Sequence, residues 1–120
     1  KFMRHGNHKY QLGLERSHRV ALMKNLAIEM LDHGKIHTTE TKAKALKPFI
    51  EKLVTLGKED TLANRRLAYS KLNNKGAVKA LFETVSPKFK QRPGGYTRVL
   101  KVADSRLGDG AKTAYLAFVE

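Results

Sequence analysis

The first long segment of the chain has an apolar residue at every third or fourth position. This spacing predicts a helix from Ser17 to about His33, with an apolar stripe formed by Val20, Met23, Ala27, Met30 and Leu31. Ser17 is a suitable N-cap residue, and Gly34 is suitable for the left-handed position that follows a helix. Three basic residues crowd the start of this helix, where the macrodipole disfavours cations: Arg16, His18 and Arg19. Their placement there favours contact with an anion.

A short extended segment, residues 35–38, precedes a second helical pattern. Thr39 is placed to cap this helix, and its buried face is predicted to consist of Ala43, Leu46, Ile50, Leu53 and Val54. Pro48 falls inside the pattern and predicts a kink or a break near Lys47. Glu51 follows Lys47 by four residues, which predicts an ion pair on the solvent side of the helix.

Two more helices and two strands complete the pattern. The helices are predicted from about Leu62 to Leu72, with Leu67 and Ala68 facing inward, and from Ala77 to about Thr84, ending at Ser86-Pro87. The strands are predicted near residues 96–103 and 113–119, and the last is apolar on both faces, which places it well inside a sheet. The fold class is therefore α+β, with several helices packed against a small mixed β-sheet. Residues 1–15 are predicted to be a basic N-terminal arm, and residues 16–120 a single domain.

The net charge of the chain indicates what kind of partner the protein binds. The 120 residues include 24 Lys and Arg against 11 Asp and Glu, which gives a net charge of +13. Such an excess repels itself in a compact state, so a polyanion is the simplest partner, with nucleic acid ahead of an acidic membrane surface. No apolar run reaches the ~18 residues of a transmembrane helix. The N-terminus lacks a signal-peptide pattern, and Met3 is a candidate natural start preceded by Lys1 and Phe2.

Several kinds of chemistry are not expected. The chain has no cysteine, and the pairs His5/His8 and His33/His37 lack the further ligands of a closed metal site. Residues 108–113, GDGAKT, lack the spacing of a phosphate-binding loop. The acidic residues are scattered and form no catalytic dyad or triad. We therefore expect no catalytic residue, no metal, no cofactor and no small-molecule substrate.

The basic residues gather in the N-terminal arm and around the turn RPGG at residues 92–95. Both groups mix Arg and Lys with aromatic residues, which suits contact with phosphates and stacking on unpaired bases. Gly94 and Gly95 would allow positive φ or a close approach to RNA. Tyr96 and Arg98 are predicted to share one strand face, which Leu100 and Val102 continue into the core. Folded RNA suits these groups better than duplex DNA, although a free DNA- or RNA-binding regulator stays open as an alternative.

Several long segments resemble one family closely. The runs SHRVALMKNLAIEML, GKIHTTETKAKALKPFIEKLVTLGK, ANRRLAY, RPGGYTRVLKV and RLGDGAKTAYLAFVE, in this order, are similar to the bacterial-type large-subunit ribosomal protein seventeen family. The resemblance implies a non-enzymatic constituent of the large ribosomal subunit that binds large-subunit ribosomal RNA near the nascent-chain exit side. It also implies neighbouring ribosomal proteins as partners, no membrane, and a place within a cytoplasmic ribosome or an organellar ribosome of bacterial type.

The resemblance and the basic clusters together predict the RNA-binding residues. The family's arm and motifs carry over to Arg4, His5, Arg16, His18, Arg19, Thr38, Thr39, Lys42, Lys44, Gly94, Gly95, Tyr96, Thr97 and Arg98. Basic and aromatic residues elsewhere in these segments add Lys9, Tyr10, Arg65, Arg66, Lys90, Arg92, Lys101 and Arg106.

Overall fold

A computed structural model describes residues 16–105 and 112–119. In chain order the elements are α1 (Arg16–His33), β1 (Lys35–Thr39), α2 (Glu40–Gly57), α3 (Leu62–Leu72), α4 (Lys75–Ala80), β2 (Thr97–Ser105) and β3 (Lys112–Phe118). A π-helical turn, Leu81–Val85, and a 3-10 turn, Ser86–Phe89, follow α4 directly. The predictions for the N-terminal arm and for Arg106 lie outside the described residues.

Helix α1 ends as predicted but begins earlier. Gly34 has φ +83°, and its N–H donates to the Met30 carbonyl at 2.7 Å, as expected for a residue that terminates a helix. Because Arg16 is already helical, Ser17 lies inside the helix and is not its N-cap. The apolar stripe is buried only in its second half, since Ala27, Met30 and Leu31 are in the core while Val20 is 46% exposed.

Helix α2 forms the centre of the domain. All five residues predicted for its buried face are in the core, and the Thr39 hydroxyl accepts a hydrogen bond from Lys42 N–H at 3.3 Å. The helix continues through Pro48, so the predicted break does not occur. A proline inside a helix costs about 3 kcal/mol, whereas each fully buried aliphatic side chain stabilises by about 1.5–3 kcal/mol. Burial of one helix face therefore outweighs the proline.

The second half of the helical region departs from the prediction in three places, the first being that α4 begins at Lys75 rather than Ala77. Helix α3 has the predicted bounds, but Leu67 is 51% exposed, because the buried stripe follows Ala68 and Leu72 and a neighbouring residue is rotated by about 100°. The helical path after α4 does not stop at Ser86-Pro87 but continues to Phe89. Pro87 is tolerated there because the first residues of a helical turn need no N–H donor.

The three strands form one sheet in the order β1-β3-β2, and both pairings are antiparallel, where a mixed sheet was predicted. The α+β class and the interior position of β3 are confirmed. One row across the sheet, Ile36–Leu116–Val99, contributes to the core. The neighbouring rows lie on the opposite face, since side chains alternate along a strand. Among the described residues, no helix is long and apolar enough to cross a bilayer.

Candidate RNA-binding surface

The RPGG turn connects the 3-10 turn to β2. Gly94 and Gly95 both have positive φ, and Gly95, at +65°, is left-handed. A Cβ atom built at either glycine would meet no heavy atom within 4 Å. The predicted need for positive φ is thus confirmed, and backbone conformation rather than crowding within the domain explains these glycines. Whether RNA approaches them closely stays a prediction.

The carboxylate of Glu51, on α2, holds the strand that leaves this turn. Its Oε1 accepts a hydrogen bond from Tyr96 N–H at 3.1 Å. Its Oε2 accepts from Thr97 N–H at 2.8 Å and from the Thr97 hydroxyl at 2.7 Å. The predicted solvent-side pair with Lys47 is absent from the ion pairs of the described residues. Glu51 instead satisfies the backbone donors of Tyr96 and Thr97 where β2 begins.

The Tyr96 side chain anchors the turn from inside. It is 1% exposed, its hydroxyl shares a 3.1 Å hydrogen bond with Thr55 Oγ1, and its ring centroid lies 5.3 Å from that of Phe89. Burial raises the pKa of Tyr96, but hydrogen bonds with Lys58 and Thr55 outweigh this effect and hold the pKa below its ordinary value. The ring is not available to stack on a base, so the predicted RNA contact of the Tyr96 side chain is corrected to a structural role.

Lys58 joins the two sides of the turn. Its ammonium lies 4.7 Å from the Tyr96 ring centroid and donates a hydrogen bond to the Arg92 carbonyl oxygen. The Arg92 guanidinium Nε in turn donates to the Gly94 carbonyl at 3.2 Å. Glu51 and Thr55 lie on α2 and Lys58 is its C-cap, and the three form a polar stripe at positions i, i+4 and i+7. Sequence reasoning assigned Glu51 to a pair with Lys47 and did not connect these three residues with the turn, although their helical spacing was a signal that could have found them.

Several cations surround this braced turn. Lys88, Lys90, Arg92 and Arg98 are exposed. A groove beside the turn is lined by Lys88, Phe89, Gln91, Arg92, Pro93 and Val119. None of the ion pairs in the described ranges involves Lys88, Arg92 or Arg98. We call this set of exposed cations and the RPGG turn the turn surface.

A second group of predicted residues lies at the far end of the sheet. Thr38 and Lys101 lie in one row of the sheet, on either side of Ala114. Lys44 Nζ and Lys101 Nζ converge on Glu40 Oε1 at 2.9 and 3.5 Å. The hydrogen bond from Lys44, with the charge of Lys101, lowers the pKa of the Glu40 carboxyl. The Thr39 hydroxyl is already used as the helix cap, so the structure gives it a local partner.

Arg65 also has internal partners. Its Nε and a terminal nitrogen donate to the two carboxylate oxygens of Asp60 at 2.6 and 2.8 Å, and Glu83 lies at 3.6 Å. These contacts lower the pKa of Asp60 and raise that of Arg65. The guanidinium also lies 5.2 Å from the centroid of the Phe82 ring. Arg65 therefore ties α3 to the π-helical turn, whereas the neighbouring Arg66 is exposed.

The start of α1 carries the remaining predicted cations. Arg16 and His18 are exposed, Arg19 is half-buried, and the first turn contains no acidic residue. The structure therefore places described candidates at the turn surface, at the Glu40 end of the sheet and in the first turn of α1, with Arg65 and Arg66 apart from these on α3. Arg4, His5, Lys9, Tyr10 and Arg106 lie outside the described residues.

Fold and surface together define a small, strongly basic α+β protein with a braced cationic turn. Residues 22–119 match the family model described as ribosomal protein L17. The chain is 49% identical over 119 residues to "Large ribosomal subunit protein bL17" of Persephonella marina, covering 98% of this chain and 96% of that protein. The protein of the same name from Methylacidiphilum infernorum is 47% identical over 118 residues, covering 98% and 89%. The chain belongs to the ribosomal protein L17 family.

Proposed function

We propose that this protein is a non-enzymatic structural constituent of the large ribosomal subunit that binds and stabilises large-subunit ribosomal RNA. Family membership, the names of the relatives and the net charge of +13 support this proposal. Neighbouring large-subunit proteins are further partners, and the nascent-chain exit side is the proposed location. The place of action is a bacterial-type ribosome, in the cytoplasm or in an organelle.

The turn surface is the observation that carries RNA binding. Its backbone is fixed by Glu51, Tyr96 and Lys58, so little conformational freedom remains to be lost when a partner binds. Lys88, Arg92 and Arg98 are exposed and have no acidic partner in the described part of the chain. Cations held in this way neutralise phosphates and release condensed counterions, which is the main source of sequence-independent affinity for nucleic acid.

The alternative of a free DNA-binding regulator would need a helix that reads the major groove, as in a helix-turn-helix motif. The structure does not favour this alternative. The helix that would enter the major groove is α4, which has six residues before the π-helical turn begins. Ala77 and Val78 on this helix, and Leu81 and Phe82 after it, are buried. A recognition helix presents several base-contacting side chains along an exposed face, and α4 does not.

Removing two cations of the turn surface is expected to lower the salt dependence of RNA binding. In the double variant Arg92→Ala, Arg98→Ala, the slope of log K against log salt for a large-subunit ribosomal RNA fragment should fall by about 1.5, since each phosphate contact contributes about 0.7–0.9. The matched control is Lys71→Ala, Lys79→Ala, which removes the same charge from exposed positions on α3 and α4. Equal slopes for the two double variants would show that the turn surface does not contact phosphates.

Placement in the ribosome needs a separate measurement. A tagged copy of the full chain should sediment with the large subunit and remain there after a wash in high salt. Loss of the protein from that fraction in every wash, together with binding to free RNA, would support the regulator instead. Turnover of RNA fragments by the purified chain would contradict the non-enzymatic assignment.

A further inference from the structure

The sheet face opposite the helices carries a second set of side chains suited to RNA, and none of them except Arg98 was among the sequence-predicted contacts. The strand register places His37, Tyr115 and Leu100 side by side in one row across β1, β3 and β2. The next row of the same face contains Lys35, Ala117 and Arg98. Rows on one face are separated by about 6.5 Å along the strands. Lys35 and Arg98 therefore flank Ala117, one row along the strands from the central tyrosine.

His37 and Tyr115 form a stacked pair. Their ring centroids are 4.5 Å apart and their planes differ by 19°, and the Lys35 ammonium lies 5.6 Å from the centroid of the tyrosine ring. His37 is exposed, Tyr115 is 37% exposed and Leu100 is 47% exposed. Such an open aromatic surface on a sheet, with near-parallel rings, can continue its stack onto a third planar ring.

The charged side chains on this face indicate which kind of planar ring it would bind. Strands β1 and β3 contain no Asp or Glu, and the two charged side chains of the described outer rows, Lys35 and Arg98, are both basic and exposed. Glu40 forms an ion pair with Lys101, which belongs to a row on the other face of the sheet. An aromatic centre with cations beside it complements a base with its phosphates better than it complements an apolar protein surface.

We propose that this sheet face is a binding site for an unpaired RNA nucleotide, whose base stacks on the His37–Tyr115 pair while Lys35 and Arg98 contact the flanking phosphates. The proposal rests on the proposed function, because it names a second site for the same class of partner. Arg98 belongs to both sites, and it follows directly after Thr97, whose N–H and hydroxyl are held by Glu51. The brace that fixes the turn surface therefore also fixes the start of the outer sheet face.

The test measures the affinity of full-length variants for a single-stranded oligoribonucleotide of about ten nucleotides, within the site sizes of single-strand binders. Tyr115→Ala should weaken binding about 5- to 150-fold, the range that corresponds to one lost base–aromatic stack. Tyr115→Phe keeps the ring and should bind within about twofold of the wild type. Tyr115→Leu keeps apolar bulk on the central strand and should weaken binding as alanine does. The matched control is Tyr69→Ala, since Tyr69 is 44% exposed on α3, outside the sheet.

A second measurement does not depend on any variant folding. Ultraviolet crosslinking of the oligonucleotide to the wild-type protein should attach it to the peptide that contains residues 112–118. The sheet site would be overturned, with the proposed function intact, by three results together. The wild-type protein binds ribosomal RNA, Tyr115→Leu binds it with the same affinity, and no crosslink forms to this peptide. Failure of the wild-type protein to bind any ribosomal RNA would overturn both. Normal RNA affinity of Tyr115→Leu with poor incorporation into the large subunit would also overturn it and assign the face to a protein neighbour.

Discussion

Replacement of Glu51 by glutamine is expected to lower the free energy of unfolding by about 2–4 kcal/mol, which is the cost of losing charge-assisted hydrogen bonds to buried donors. The carboxylate accepts three hydrogen bonds, two of them from the N–H groups of Tyr96 and Thr97. A glutamine side chain offers one oxygen and one NH2 group, so one backbone donor would face another donor. Urea unfolding measures the loss of stability, and amide hydrogen exchange of Tyr96 and Thr97 measures local opening.

The matched control for this variant is Glu29→Gln. Glu29 is exposed on α1, and the same chemical change there should alter stability by less than about 0.5 kcal/mol. If Glu51→Gln unfolded at the same urea concentration as the wild type and its Tyr96 amide exchanged no faster, the hydrogen bonds accepted by Glu51 would contribute nothing to the stability of the protein. The charge change is the same in both variants, so a difference between them reports on hydrogen bonding to the turn.

Gly57→Ala is expected to destabilise the protein by about 1–3 kcal/mol or more, as overpacking of a closed interior does. Gly57 is the last residue of α2, and a Cβ atom there would lie 2.2 Å from Ser86 Oγ and 3.0 Å from Ser86 Cβ. Ser86 cannot move away easily, because it is fully buried and its hydroxyl donates to the Val54 carbonyl at 3.1 Å. The gain in helix propensity from glycine to alanine is at most about 1 kcal/mol, so the steric effect decides the sign. Urea unfolding measures the change.

A double-mutant cycle identifies the cause. Ser86→Gly removes both of the Ser86 atoms that would clash, so its own cost should be smaller when Gly57→Ala is already present. Strict additivity of the two changes would show that the contact between α2 and the 3-10 turn is not the source of the effect. Gly76→Ala serves as a reference, because a Cβ atom there would meet only the Asn74 side-chain oxygen, at 3.3 Å.

Local patterns predicted the elements well because the decisive interactions are themselves local. The buried face of α2 follows a simple helical period, and its cap is three residues from its donor. The central position of β3 could be predicted from the sequence because Ala114 and Leu116 alternate with residues that are also apolar or aromatic. The 37% exposure of Tyr115 could not be predicted from local sequence, since it depends on the described helices packing against the other face of the sheet.

The errors at the turn come from contacts between distant residues. Glu51 and the Tyr96 N–H are 45 residues apart, so no local pattern relates them. Alternation placed Tyr96 on the face of Arg98 and Leu100, but β2 begins at Thr97 and the two-residue period does not extend back to Tyr96. Arg98 and Leu100 do share a face, and Leu100 is 47% exposed there rather than buried in the core.

The strand order has a consequence for synthesis of the chain. The strand that is made last of the three lies in the middle, and β1 and β2 pair with it rather than with each other. A growing polypeptide that has not yet reached residues 112–118 can form its helices from local contacts, but its two earlier strands have no neighbour to complete a sheet. Translation thus orders the appearance of the two proposed RNA sites. The RPGG turn is held by Glu51 of α2 and can be fixed early, whereas the Tyr115 face exists only once the third strand lies between the other two.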